Sequence, residues 1–360
     1  MAGGFGTRLR PLSCSRPKLL FPIAGRPMIE WALEGLSKNG VDEAVLATNY
    51  MQEMIRNHLG RSFGRVKLHY STEDSPLGTG GAIKRAERFL RKDKDFFVLN
   101  GDILSSPPIN EMFQKHTSTG ATATIMLYQV KDPKHFGVAE LDDSIRITRF
   151  VEKPSAKDAP SNWINAGVYV LNNKVFNYIT PRGKVSVERE VFPVLASSRR
   201  LHGYKYRGEW FDIGRFEEYR NANNAYLSKI SDRRPILADR VKVEGDAKLK
   251  PPLTVGSKST VKLGATLGPN TSVGEAAVIG EGSEVSDSIL FGRVRLGRNS
   301  IVKGSIIGEA AVIEDNVKIG EGCVIGDHVL IRSNLTLKND VRVCPYKEVN
   351  RSIDRPGIVT

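Results

Sequence analysis

Apolar positions along this chain follow three rhythms, and each predicts a different kind of element. Near the start, Ile29, Leu33 and Leu36 recur at the spacing of one helix face, and Asn39-Gly40 supplies the stop. Residues 44–48 then read as a short buried strand, 51–59 as a helix, 66–70 as a strand, 79–90 as a helix and 96–99 as an apolar strand. Strands and helices alternating over short connections predict βαβ units around a parallel sheet. Ligands of such sheets bind at the carboxyl ends of the strands, where Asp102 falls in Asn100-Gly101-Asp102. From Ala121 the pattern turns β-rich, with strands expected over 121–130, 145–152 and 168–171 before helical spacing returns at 186–195 and 216–227. The polar run Ser231-Asp232-Arg233-Arg234-Pro235 reads as the start of a linker.

The third rhythm is the most regular. Val255, Val261, Leu267, Val273, Ile279 and Val285 stand six residues apart. After a short reset Leu290, Leu296 and Val302 keep that period, and after another so do Ile307, Ile313, Ile319, Ile325, Ile331, Leu337 and Val343. Glycine often follows the apolar residue, and small residues such as Ser259, Ala265 and Ala277 fall four places after it. Three such hexads make one turn of a left-handed parallel β-helix with the apolar side chains stacked inside, glycine being expected to permit the corners. The expected division is therefore an α/β domain over 1–230, a linker over 231–251 and a β-helix over 252–360.

Composition narrows the partners. The 360 residues are 40% apolar and 26% charged, ordinary for a globular protein, but the net charge is +13. The basic residues are scattered and no aromatic-interleaved basic cluster appears, which favours anionic metabolites over nucleic acid or a membrane surface. Cys14, Cys323 and Cys344 form no Cys-x-x-Cys pair, so neither a disulfide framework nor a zinc site is expected, in keeping with a reducing cytoplasm. No stretch approaches membrane-spanning length, and no signal peptide precedes the first glycines.

Candidate chemistry gathers at the N-terminus. Gly3, Gly4 and Gly6 place three residues without Cβ in four positions, followed at once by Thr7 and Arg8, with Arg10 nearby and Lys18 after Pro17. Amide donors on a flexible turn, followed by fixed cations, suit a polyanion such as a nucleoside triphosphate. A glycine turn beside a solvated basic face is the alternative. Asp102 and Asp212, each following an apolar run, are hard-oxygen groups suited to Mg²⁺, although a lone aspartate after a strand more often serves a turn or a helix cap.

These segments carry a resemblance. Gly3-Gly4-Phe5-Gly6-Thr7-Arg8-Leu9-Arg10-Pro11-Leu12-Ser13 with Pro17-Lys18 resembles the activation motif of sugar-1-phosphate nucleotidylyltransferases, and no Gly-Lys-Ser/Thr follows to make it a Walker A loop. The segments ending in Asp102 and Asp212 are similar to that family's two metal-aspartate segments. Phe150-Val151-Glu152-Lys153-Pro154 resembles its sugar-phosphate segment, Phe136-Gly137-Val138 and Asn165-Ala166-Gly167 its neighbouring sugar elements, and Pro76-Leu77-Gly78-Thr79-Gly80-Gly81 its loop under the base and ribose. Ser186-Val187-Glu188-Arg189-Glu190-Val191-Phe192-Pro193 is most similar to the mannose-1-phosphate guanylyltransferase branch.

The resemblance implies a Rossmann-like nucleotidyltransferase domain followed by the β-helix of hexapeptide repeats. It implies attack of a hexose-1-phosphate oxygen on the α-phosphorus of a nucleoside triphosphate, releasing pyrophosphate, with GTP and mannose-1-phosphate preferred. Arg8, Lys18, Asp102, Lys153 and Asp212 would be catalytic. Gly3, Gly4, Gly6, Thr7 and Gly78 would bind the nucleotide, Gly137, Glu152 and Asn165 the sugar, and Asp102 and Asp212 the Mg²⁺. Relatives of this architecture also use UTP or dTTP with glucose-1-phosphate, and an inactive regulatory or assembly subunit of the same fold is a further alternative. The family's buried first strand is absent before Met1-Ala2-Gly3, and a misassigned start codon is the expected cause.

The β-helix is expected to join copies into a homo-oligomer, so that deleting 252–360 would dissociate them and leave some transferase activity. Acyl transfer by the repeats would need a histidine base, for which His328, with Asn334 and Lys338 nearby, is the candidate; a scaffold corner histidine is the simpler reading.

Overall fold

The computed structural model describes residues 1–4, 6–180 and 183–360, so Phe5 of the glycine motif lies outside the described residues. The chain forms two compact units. One comprises Met1–Gly4 and Ile29–Phe211, the other Phe5–Met28 and Asp212–Thr360. No helix among the described residues is long and apolar enough to cross a membrane.

In the first unit, β1 (Glu43–Thr48) and β2 (Val66–Thr72) pair in parallel, as a βαβ crossover through α1 (Gln52–Leu59) requires. Six longer strands follow: β3 (Asp95–Leu99), β4 (Ala123–Gln129), β5 (Gly137–Leu141), β6 (Ile147–Glu152), β7 (Trp163–Asn172) and β8 (Leu201–Lys205). They form a mixed sheet in the order β6-β5-β7-β4-β8, with β3 also on β7. The parallel expectation holds for β1/β2 and for β4/β8, whereas β7 runs antiparallel to β3, β4 and β5.

Strand β7 begins earlier than its apolar run suggests, because the register slips between Asn165 and Tyr169 and Gly167 takes φ +74° there. Met1 and Ala2 run between the two sets of strands. The Met1 amine donates to Leu99 O at 2.5 Å, Gly101 N donates to Met1 O at 2.8 Å, and Ala2 N donates to Ala47 O at 2.7 Å.

Two predicted helices differ in detail. The one expected over 79–90 breaks at Ala86 into α2 (Gly78–Arg85) and a single turn, Glu87–Leu90. The one expected over 186–195 opens as a π-type turn, Val187–Val191, before α3 (Phe192–Ser197). Phe192 packs edge-on against Phe150 and Tyr169 in the core. On the inner face of the helix Ile109–Thr119, buried His116 meets Thr124 through Nδ1 at 2.9 Å and Asp95 through Nε2 at 3.2 Å.

In the second unit the hexad rhythm becomes three parallel sheets of eight, seven and six short strands, about seven turns of a solenoid. All sixteen in-phase apolar residues are at most 2% exposed. Each fully buried Val, Leu or Ile contributes ~1.5–3 kcal/mol relative to exposure. The register explains both resets: Val261 pairs with Ile279, eighteen residues on, but Val273 pairs with Leu290 and Leu290 with Ile307, seventeen on. The first turn lies inside the segment expected to be a linker, since Ile236–Leu237 already pairs with Thr254–Val255.

The glycines do different work from that expected. The left-handed corner position recurs once per hexad and is filled mostly by other residues, among them Asn270, Ala276, Asn316, His328 and Asn334. Gly274, which follows an apolar residue, is needed for close stacking instead: a Cβ there would lie 2.5 Å from Gly292 N in the next turn.

Candidate active site

The residues expected on the sugar side, all in the first unit, converge through strand register. Gly137 at the start of β5 pairs with Glu152 at the end of β6, and a Cβ on Gly137 would lie 2.5 Å from the Phe150 ring and 2.8 Å from Glu152 Oε2. Next to them, Ile164 of β7 pairs with Val138, which brings Asn165 alongside. Asn165 Oδ1 accepts from Gly167 N at 2.9 Å and its Nδ2 donates to the Tyr169 hydroxyl at 2.9 Å, so its side chain is fixed at the β7 irregularity. Gly137, Glu152 and Asn165 are thus brought together. Lys153 follows with φ +50° and an exposed ammonium 3.6 Å from Glu152 Oε1.

The base-side loop is tied to the same cluster. Gly78 has φ +74°, and a Cβ on it would meet Val185 O at 2.5 Å. Val185 N donates to Leu77 O at 2.9 Å and Val187 N donates to Thr79 Oγ1 at 3.0 Å. The Thr79 hydroxyl donates to Glu188 Oε2 at 2.5 Å, the Ser186 hydroxyl to the same oxygen at 2.7 Å, and Tyr169 OH approaches Glu188 Oε1 at 3.4 Å. Glu188, 9% exposed, therefore links the Gly78–Thr79 loop to the Asn165–Tyr169 side of the Gly137–Glu152 cluster. Burial pushes the Glu152 carboxyl above its ordinary range, and the negative charge of Glu188 adds to the rise.

The sequence marked the 186–193 segment but gave Glu188 no role. A carboxylate between Ser186 and a following apolar run was the available signal.

Asp102 lies just beyond β3, where Asn100 N donates to Gly167 O at 2.8 Å. It is near enough to the Met1 amine to raise that group's affinity for its proton, although burial prevails and pulls the amine down to about 6. Gly3 sits against Asn49, its absent Cβ 3.3 Å from that side chain, and Gly4 faces open space.

The second unit holds Gly6, Thr7, Arg8, Lys18 and Asp212. Gly6 is left-handed at φ +59°, its carbonyl accepts the Ser13 hydroxyl at 2.7 Å, and its Cβ position lies 3.8 Å from Lys18 Cβ. Gly6 and Lys18 are therefore neighbours. Thr7 and Arg8 are exposed on the turn Thr7–Leu9. Arg8 and Asp212 meet at Gly214, where a Cβ would fall 2.9 Å from Arg8 Nη2 and 3.2 Å from Asp212 Oδ1. Only glycine leaves both side chains that position. A cavity of about 480 Å³ opens in this unit, lined by Arg8, Arg215, Arg220 and Arg342 among others.

Among the described residues no group of three or more His, Cys, Asp or Glu side chains could by itself cage a metal. Mg²⁺ does not require one, since it keeps several waters and is usually held by one or two carboxylates and the substrate phosphates. The carboxylates of Asp102 and Asp212 are donors of that kind. His328, the candidate acyl-transfer base, sits at a left-handed corner with φ +57° and stacks on Tyr346 at 4.9 Å, as a corner residue does.

The nucleotidyl transferase family profile matches residues 1–229, and a profile described as the GMPPB C-terminal domain matches residues 237–359. The chain is 39% identical over 241 residues to the mannose-1-phosphate guanyltransferase of Candida albicans, covering 65% of this chain and 66% of that one. It is 41% identical over 241 residues to mannose-1-phosphate guanylyltransferase 1 of Arabidopsis thaliana, covering 65% and 66% respectively. These matches span just under two thirds of each relative's length. Among solved structures, HddC of Yersinia pseudotuberculosis complexed with GMP-PN is 27% identical with a TM-score of 0.52, covering 62% of this chain and 96% of that one.

Proposed function

The chain belongs to the nucleotidyl transferase family, and from that premise we propose that it joins GTP to mannose-1-phosphate, giving GDP-mannose and pyrophosphate. The observation that carries this reading is the continuous link, through Glu188, between the Gly78–Thr79 loop and the Gly137–Glu152–Asn165 cluster. A base loop and a sugar pocket held by one carboxylate suit a reaction in which nucleotide and sugar must be aligned for in-line displacement. The relatives from Candida albicans and Arabidopsis thaliana carry the name of this reaction and supply the choice of base and hexose.

In this reading Gly3, Gly4, Gly6 and Thr7 offer amide and hydroxyl donors to the triphosphate while Arg8 and Lys18 neutralise it. Lys153, exposed beside Glu152, takes the phosphate of the sugar, and Glu152 and Asn165 take sugar hydroxyls. Asp102 and Asp212 would hold Mg²⁺, which when bound offsets phosphate charge as two anions approach. No general base is needed, because the attacking phosphate is already an anion at neutral pH. The proposal extends to a homo-oligomer formed through the solenoid, and to the cytoplasm, a setting that suits three cysteines with no Cys-x-x-Cys pair.

The test is a matrix of four nucleoside triphosphates against mannose-, glucose- and glucosamine-1-phosphate, scored by pyrophosphate with and without Mg²⁺. The GTP and mannose-1-phosphate pair is expected to be fastest. A UTP or dTTP pair with glucose-1-phosphate in first place overturns the specificity, and silence in every cell overturns the enzyme.

A further inference from the structure

The segment carrying Arg8 and Lys18 has little structure of its own. Its elements are three turns of three residues each, Thr7–Leu9, Leu12–Cys14 and Lys18–Leu20, and a two-residue pairing of Pro22–Ile23 with Arg26–Pro27. Such short 3₁₀ pieces do not hold a shape alone. This segment lies in the same compact unit as the solenoid, and the solenoid supplies the anchors. The Ser15 hydroxyl donates to Asp327 Oδ2 at 2.9 Å, and the Arg16 guanidinium pairs with Glu309 and lies 3.7 Å from the same Asp327 oxygen. Arg16 also covers the Phe291 ring at 5.0 Å, and Phe21 meets Phe291 edge-on at 5.8 Å. Further along, Ala24 N donates to Asn223 Oδ1 at 2.9 Å, and that oxygen also accepts the Ser272 hydroxyl at 2.6 Å.

Asp327 is the odd member of a repeated corner. Three times the residue before a left-handed corner accepts a backbone N–H from the preceding turn: Arg298 N to Asp315 Oδ1 at 2.7 Å, Glu309 N to Asp327 Oδ1 at 2.7 Å, and Glu321 N to Asn339 Oδ1 at 3.0 Å. An asparagine does this work at 339, so the corner needs an amide or carboxylate oxygen and no charge. Asn339 is exposed and Asp315 half-buried, whereas Asp327 is only 4% exposed. Burying a carboxylate is unfavourable unless it is paired. Burial indeed pushes Asp327 upward, against the pull of Arg16 and the Ser15 bond. The corner bond does not use the charge at 327; the second oxygen faces Ser15 and Arg16, between Arg8 and Lys18 in the chain, while His328 and Arg293 of the solenoid pull on the carboxylate more weakly.

We propose that Asp327, through Ser15 and Arg16, is a positioning residue for the Arg8–Lys18 loop, so that the solenoid sets the geometry of triphosphate binding. This rests on the guanylyltransferase reading for its kinetic consequence only. It also changes the outcome expected for deletion of 252–360: the loop loses its anchors, and transferase activity goes with it.

The test compares Asp327→Asn, Arg16→Gln, the double variant and Asp315→Asn in the full-length protein. Hydrogen exchange of residues 6–21 is followed without substrate, alongside KM for GTP, KM for mannose-1-phosphate and thermal stability. Asp327→Asn keeps the corner bond, as Asn339 does, and removes the anion. The expected result is faster exchange in the loop and a KM for GTP raised about tenfold, the scale of losing one hydrogen bond to a charged group, with KM for mannose-1-phosphate within about twofold. Arg16→Gln should match it, the double variant should be no worse than the more severe single, and Asp315→Asn should resemble wild type. Unchanged loop exchange with unchanged KM values overturns the proposal. So does an equal rise in both KM values with a lower Tm, the mark of a general structural role. If wild type releases no pyrophosphate from any substrate pair, the functional reading fails instead, and loop exchange alone decides whether Asp327 anchors the segment.

Discussion

The solenoid and the sugar pocket achieve order in opposite ways. Every apolar position of the solenoid stacks on one seventeen or eighteen residues away, so each turn repeats the same local solution. The pocket joins residues from 78 to 188 through single hydrogen bonds, and no two of its contacts are alike. A repeat tolerates a defect by confining it to neighbouring turns. A convergent site has no neighbours to share the loss, so one substitution should remove function without removing the fold.

The sharpest break in that comparison is at the carboxylates. Asp212→Asn is expected to lower pyrophosphate release by about 10²–10³-fold, the scale of losing one electrostatic contact to the transition state, with Tm close to wild type. Chelation of Mg²⁺ should reproduce the loss in wild type and add little to the variant. A variant with full activity would remove Asp212 from the metal role.

The converse change belongs to the solenoid. Ile325 is fully buried between Ile307 and Val343 in adjacent turns. Ile325→Ala should destabilise by ~2–5 kcal/mol, read by denaturant unfolding, because the stack on either side relaxes only in part. Activity per folded molecule should persist, unless the defect spreads two residues onward to Asp327. The distance over which solenoid damage reaches the catalytic loop is itself a measure of how separate the two regions are.

This contrast also explains what could be read from the chain beforehand. The hexad rhythm is a one-dimensional signal, so the residues from Val255 to Val343 were assigned to the inside one by one, and all sixteen are buried. The mixed sheet was less legible. Strand β7 sounds its apolar run only over its second half, because the bulge at Ala166-Gly167 and the polar Asn165 interrupt the alternation. Gly137, Glu152 and Asn165 came from resemblance to a family, and register shows how they meet. Glu188 was hidden for another reason: its three donors come from Thr79, Tyr169 and Ser186, and long-range polar convergence leaves no periodicity. The anchoring of the Arg8–Lys18 loop on Asp327, 312 residues from Ser15, is invisible in the same way.

A moderate effect is expected where Glu188 couples the pocket's halves. Glu188→Gln keeps one acceptor oxygen but turns an NH₂ toward hydroxyls that donated to it, and should raise KM for both substrates about tenfold, the scale of one charged hydrogen bond. It should also leave a signature in pH. Glu152 is held above its ordinary range by burial and then by the Glu188 charge, so in wild type its acceptor oxygens are lost early as pH falls. With Glu188 neutral, the acid limb of the sugar KM profile should move to lower pH. An unmoved limb would separate Glu152 from sugar binding.

The smallest effect concerns stability in the α/β unit and has no counterpart in the solenoid. Burial is the largest influence on both His116 and His202, and it holds each imidazole below its ordinary value of 6.5. Asp95 pulls His116 upward while Lys94 pushes it further down; Arg146 and Lys115 depress His202 further while Asp142 opposes them. The folded state therefore prefers both rings neutral, and the unfolded chain takes up protons first as pH falls through about 6.5. The histidine contribution is complete above that pH and declines below it until the folded-state values are passed. Depressed carboxylates such as Asp142 and Glu314 lose their contribution only at lower pH, from below their ordinary values of 3.8 and 4.5, whereas the buried Met1 amine, lowered from 8.0 to about 6, titrates in the same range, so the histidine share is read from the variants. Thermal melts between pH 7.5 and 5.5 should show a fall of roughly 2–4 °C, about what 1 kcal/mol produces in a unit of this size. His116→Asn and His202→Asn should each flatten part of that slope.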